Sequence, residues 1–262
     1  MNKTKIDWCD STWNPASGCL HGCEYCYARN ISERFGAGWE AASGNFPVLD
    51  EIMYGYRIGK DGKLERRKEV YPYNFTPTFH RYRLNDCIGK KGRNIFVCSM
   101  ADLFGSWVPD SWIEEVFKAC EKAPQHNYLF LTKNPERYVE LAEKGILRCS
   151  NNMWYGWSQT KNKDVKTLCF PCSPRLFISV EPILEPVRPS LEDWIIVGAE
   201  TGRRKDKVIP KREWIEQIVE DCREFDIPLF MKSSLAEIWG EPLIQEFPKN
   251  IARIRKEMQL WD

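Results

Sequence analysis

An α/β architecture, a partial or irregular (β/α) barrel, is what the sequence predicts, and three observations predict it. Short apolar, β-rich runs alternate with amphipathic stretches from about residue 94 onward, the pattern of repeated βα units on a parallel sheet. Most of the apolar runs end on polar or charged residues, as expected where strand ends form the working face of such a fold. Counting a first strand near the start gives about seven units, too few for a regular eight-stranded barrel. A chain of 262 residues, 43% of them hydrophobic, can bury a sizeable core, and a single domain over 1–262 is expected.

Residues 3–8 are expected to form the first strand, which Asp10, Asn14, Pro15 and Gly18 break into a loop. Residues 27–35 read as the helix that follows, and glycines from 36 to 44 punctuate it. Between about 46 and 73 periodicity is weak and a Gly59-Lys60-Asp61-Gly62 turn suggests an inserted hairpin, with Tyr54, Tyr56, Arg57, Tyr71 and Tyr73 able to cap a pocket. A solvated hairpin without a role fits the same residues. Residues 94–98 then form a strand ending in Ser99-Met100-Ala101-Asp102, with a helix at 109–122. The strand at 128–131 ends in Thr132-Lys133 and precedes a helix at 135–144. Strands at 153–157, 176–178 and 194–197 end in Ser158-Gln159, Ser179-Val180-Glu181-Pro182 and Gly198-Ala199-Glu200. A helix at 211–225 leads to the last strand, 228–231, which ends in Lys232-Ser233.

Lys plus Arg number 38 against 37 Asp plus Glu, so a net charge of +1 gives no long-range attraction to polyanions. Nucleic acid and membrane are therefore not expected as partners. Eleven cysteines without an apolar leader fit a reducing, cytoplasmic setting better than a disulfide framework. No apolar run approaches the ~18 residues of a membrane helix.

The chemistry concentrates between Gly18 and Arg29, where Cys19, Cys23 and Cys26 are separated by three residues and then two. Three thiolates that close face one inorganic centre. An iron–sulfur cube has four iron corners, so three ligands leave one iron open for a substrate, as an open position distinguishes a catalytic zinc site from a structural one. A structural zinc or iron site, or three unrelated buried thiols, are the alternatives. Cys169 and Cys172 are too few for a second cluster and read as a structural or surface pair. His21, His80 and His126 form no ligand pattern, although His21 lies inside the cysteine loop.

The cysteine spacing, with Tyr25 before the third cysteine, resembles the signature loop of the radical S-adenosylmethionine (SAM) enzymes. Further motifs extend the resemblance over nearly the whole chain: Trp13-Asn14-Pro15, Ser99-Met100-Ala101-Asp102-Leu103-Phe104, Leu131-Thr132-Lys133-Asn134-Pro135-Glu136-Arg137, Ser179-Val180-Glu181-Pro182 and Val197-Gly198-Ala199-Glu200-Thr201-Gly202. Together they resemble a radical-SAM-like group of phages and bacteria, and within it the queuine lyases, which free the 7-deazaguanine base queuine from queuosine 5′-monophosphate. The Gly-Gly-Glu element of many radical SAM enzymes is replaced by Cys98-Ser99-Met100.

The resemblance implies a barrel of the radical SAM type, a 4Fe–4S cluster on Cys19, Cys23 and Cys26, bound SAM, and an electron donor such as flavodoxin or ferredoxin. Tyr25, Ser158, Ser179 and Glu181 would serve SAM. Asp102 and Glu200 are candidates for the donor edge of a deazaguanine, since one carboxylate can accept two parallel hydrogen bonds. Lys133, Lys232 and Arg203 are candidates for a substrate phosphate, and the base edge and the phosphate are assigned to Asp102 and Lys232. A radical SAM enzyme acting on DNA or RNA and a non-enzymatic metal-binding module are the competing functions.

Overall fold

A computed structural model describes residues 1–202 and 204–259. The strands of the first third are β1 (Asn2–Lys3), β2 (Ser11–Trp13), β3 (Ala16–Ser17), β4 (Val48–Leu49), β5 (Tyr54–Ile58), β6 (Leu64–Lys68) and β7 (Thr78–His80). They are followed by β8 (Asn94–Val97), β9 (Asn127–Thr132), β10 (Met153–Ser158), β11 (Arg175–Val180), β12 (Ile195–Val197) and β13 (Leu229–Met231). The helices are α1 (Tyr27–Phe35), α2 (Asp110–Glu121), α3 (Glu136–Glu143), α4 (Arg212–Glu224), α5 (Ala236–Trp239) and α6 (Lys249–Gln259).

Strands β2 and β8 to β13 lie side by side in chain order and pair parallel, with β1 antiparallel on the outer edge of β2. Both faces of this sheet are buried, so its strands read as continuous apolar runs rather than alternating ones. On one face Phe96, Leu129, Trp154, Phe177, Ile196 and Phe230 pack with Trp8, Trp194 and Ile251 of α6. On the other, Val97, Phe130, Tyr155, Ile178, Val197 and Met231 meet the apolar sides of α2, α3 and α4.

The sheet is open, which corrects the expected partial or irregular (β/α) barrel of the radical SAM type to a mixed α/β fold around one mostly parallel sheet. Among the described residues no pairing joins β1 or β2 to β13. Both edges are already occupied. Strand β1 covers β2 through Asn2↔Thr12 and Lys3↔Ser11. At the other edge the Met231 N–H donates to the Ile244 carbonyl at 2.7 Å and the Glu246 N–H to the Leu229 carbonyl at 2.9 Å. Edge groups paired in this way have no ladder left for closing a barrel.

Two further expectations change. The strand read at 3–8 is replaced by β2, because Asp10, read as a breaker, anchors the chain: its carboxylate accepts the Asn94 N–H at 2.8 Å and its own N–H donates to the Asn94 carbonyl at 2.9 Å. The βα alternation also lapses: among the described residues, 159–174 hold only a 3-10 turn at Asn162–Asp164, and 181–194, with Pro182, Pro186 and Pro189, hold no helix.

Strands β5 and β6 form an antiparallel hairpin within the segment where an insertion is expected. Strands β3, β7 and β4 make a separate small sheet beside it. Cys149 is disulfide-bonded to Cys172, while Cys169 is exposed and unpaired, so the pair read as Cys169 with Cys172 has a different partner. No helix among the described residues is long and apolar enough to cross a membrane.

Candidate functional site

Because the strands from β8 to β13 run parallel, their carboxyl ends gather at one end of the sheet, and the chain leaving β3 crosses that end as the cysteine loop. Gly18 makes the crossing possible. It has φ of +84°, and a Cβ there would lie 2.3 Å from the Thr76 carbonyl oxygen, a distance no side chain tolerates. Its N–H donates to Met100 at 2.9 Å and the Cys19 N–H to Phe75 at 3.2 Å, which tie the loop to the ends of two other segments. Cys26 caps α1, its sulfur accepting the Arg29 N–H at 3.4 Å.

A cavity of about 510 Å³ lies between the loop and the strand ends. Cys19, Cys23 and Cys26, all unpaired and half-buried, line it from the loop side together with Tyr25. From the sheet side it is lined by Asp102, Lys133, Ser158, Ser179, Glu181, Glu200 and Lys232. Every site residue named from the sequence therefore borders one cavity, apart from Arg203, which lies outside the described residues.

The charges there are organised in partnerships that the sequence did not reveal. Asp102, 6% exposed, is saturated by the protein. It accepts from the Phe104 N–H at 3.0 Å, the Thr132 hydroxyl at 2.7 Å, the Lys133 N–H at 2.9 Å and His21 Nε2 at 2.7 Å. His21 in turn meets Trp107 edge to face at 4.8 Å. Asp102 is thus a clamp between the cysteine loop and the ends of β8 and β9.

Glu200 takes both ends of the Arg204 guanidinium at 2.8 Å, and these hydrogen bonds hold its carboxyl below the usual carboxylate range. Lys232 pairs with Glu181 across Gly198, where a Cβ would come 3.0 Å from the Lys232 side chain. Lys133 is different: its ammonium donates to the Tyr25 hydroxyl at 3.0 Å and, among the described residues, no carboxylate pairs with it at that distance. Ser158 and Ser179 both line the cavity, Ser179 almost fully buried. Arg204 escaped sequence reasoning, because no helix among the described residues spans it and Glu200, and their spacing carried no signal.

Burial pushes the Cys19 thiol up to about 12; a backbone hydrogen bond at His21 opposes this, while Asp102, Cys23 and Cys26 reinforce it. At that value Cys19 stays a protonated thiol near neutral pH, and a metal centre binding there would have to displace its proton. Among the described residues no three His, Cys, Asp or Glu side chains converge as ligands of one ion.

The family model described as Protein of unknown function (DUF5131) matches residues 3–258. No curated protein matches the chain, and no solved structure does.

Proposed function

We propose that this chain, which belongs to the family Protein of unknown function (DUF5131), is a radical SAM lyase that releases queuine from queuosine 5′-monophosphate. The observation that carries the reading is the meeting of Cys19, Cys23 and Cys26 with the polar strand ends around one cavity. When bound, a 4Fe–4S cluster and SAM would supply a 5′-deoxyadenosyl radical able to take hydrogen from an unactivated sugar carbon.

The protein's part is to bind, orient and keep out water. Ser158 and Ser179 would offer hydroxyls to the ribose or methionyl groups of SAM, with Tyr25 and Glu181 in the same cavity wall. Of the two carboxylates considered for the deazaguanine edge, Glu200 suits the role better. Its oxygens are held by a single side chain, Arg204, whereas Asp102 is held by four separate donors. Lys133 is the better phosphate ligand, because its charge faces a phenol while that of Lys232 is neutralised by Glu181. A flavodoxin or ferredoxin would supply the electron, and the reading places the reaction in the cytoplasm.

The test is anaerobic incubation of reconstituted protein with SAM, a reductant and queuosine 5′-monophosphate. The reading expects 5′-deoxyadenosine and free queuine, with less release from the unphosphorylated nucleoside and none from a guanosine nucleotide. SAM cleavage without queuine release from any of them would retain the radical chemistry and reject the lyase. Glu200→Gln should impair release by roughly tenfold or more while leaving iron content alone.

A further inference from the structure

The β5–β6 hairpin has two unlike faces. On one, Arg57 reaches back to the end of α1, donating to the Gly36 carbonyl at 3.3 Å and pairing with Glu69 at 3.2 Å. On the other, strand alternation and the observed register align three cross-strand pairs in a row: Tyr54 with Lys68, Tyr56 with Arg66, and Ile58 with Leu64. All six side chains are exposed, and the apolar pair at the tip leaves Ile58 76% and Leu64 69% accessible. Solvation alone gives no reason to hold two aliphatic side chains in water at the end of a projecting hairpin.

Charge separates this element from the rest of the molecule. Residues 54–69 contain six Lys or Arg and three Asp or Glu, a surplus of three in a chain whose total is only +1. The near-neutral total therefore conceals a local basic field against an otherwise slightly acidic protein, and local fields steer polyanions. The Arg66 guanidinium lies over the Tyr54 ring, 3.8 Å from its centroid, a cation–π contact that covers one face of the ring and leaves the outer side of the stack for a ligand. Aromatic rings interleaved with cations on an open sheet face recognise unpaired bases by stacking and phosphates by charge. An acidic protein surface would use the cations but give the alternating tyrosines no task.

We propose that this face binds single-stranded nucleic acid, with Tyr54 and Tyr56 stacking on bases, Arg66 and Lys68 meeting phosphates, and Ile58 with Leu64 packing against an unstacked base at the tip. The hairpin is rooted near the cavity: the chain leaving β6 runs through Tyr71, which packs against the same Ala28, Phe75 and Met100 cluster as Cys19 and Cys26, to Phe75, whose carbonyl accepts the Cys19 N–H. A bound strand would lie beside the cysteine loop. The inference goes beyond the lyase reading and is independent of it, because binding requires neither cluster nor turnover.

The experiment is fluorescence anisotropy of the full-length protein, without SAM or reductant, using labelled oligouridylate and oligodeoxythymidylate of about twelve residues and a duplex of equal length. At least one single strand should bind more tightly than the duplex, with affinity falling as salt rises. Tyr54→Ala with Tyr56→Ala should weaken binding about tenfold or more, and Tyr54→Phe with Tyr56→Phe should retain it. Matching circular dichroism and melting curves would show that the variants are folded. Absence of binding to either strand, preference for the duplex, or unchanged affinity in the double alanine variant would overturn the proposal. Competition by polyglutamate that is equal for wild type and the alanine variant would overturn it in favour of an acidic protein partner.

Discussion

Asp102 shows how much of the site is decided by one side chain's partners. By residue type it is as good a base reader as Glu200, yet its oxygens are committed to Thr132, Lys133, Phe104 and His21. Asp102→Asn would present an amide donor to groups that are themselves donors, and should cost roughly 1–3 kcal/mol in urea unfolding. Through His21 it should also loosen the cysteine loop and lower iron retention. Gly18→Ala should be similarly harmful, combining a left-handed φ with contact against the Thr76 carbonyl, and should lower stability by about 1–3 kcal/mol.

His80 offers a pH test of the same region. It is buried beside Ser17, 2.8 Å from the hydroxyl, and its Nδ1 has no partner. Burial pushes it down to about 3, with Arg83 and Lys68 adding to the effect. An unfolded histidine binds its proton near pH 6.5, so between about 6.5 and 3 the unfolded state holds more protons. The stability contributed is present above that window and is lost as pH falls through it. The urea midpoint of wild type should drop from pH 7 to pH 5, and His80→Gln should show a shallower drop; an identical pH dependence would contradict the assignment.

Elements were legible where apolar runs coincided with strand ends. The motif Leu131-Thr132-Lys133 and its counterparts could be placed on β9 to β13 because a parallel strand buried on both faces must surface abruptly, leaving its last residues polar. Short or irregular pieces were not legible. Strand β1 has two residues and the small sheet β3–β7–β4 has strands of two and three, too short for any periodicity to register. The partnerships among site charges were hidden for a different reason. Asp102 and His21 are 81 residues apart, and Glu181 and Lys232 are 51 apart, separations at which only the folded chain supplies a signal.

At the scale of the whole molecule the open sheet replaces the barrel because two minor segments, β1 and the chain near Gln245, occupy its edges. Neither has a strong pattern of its own, so βα counting could not anticipate them. The core between these edges is aromatic: Trp194 is fully buried among Trp8, Trp154, Phe177 and Phe230. Trp194→Ala should cost roughly 3–5 kcal/mol in chemical unfolding. A cost below about 1 kcal/mol would show that this face of the sheet is not the packed layer described here.

The proposed function requires Cys19, Cys23 and Cys26 to hold one cluster at the end of that sheet. The most direct measurement pairs iron content with 5′-deoxyadenosine formation in anaerobically reconstituted wild type and in a variant carrying Cys19→Ala, Cys23→Ala and Cys26→Ala. Wild type should hold about four irons per chain and cleave SAM, and the variant should do neither. A variant that still binds four irons and cleaves SAM, or a wild type that forms no cluster under conditions that load other iron–sulfur proteins, would contradict it.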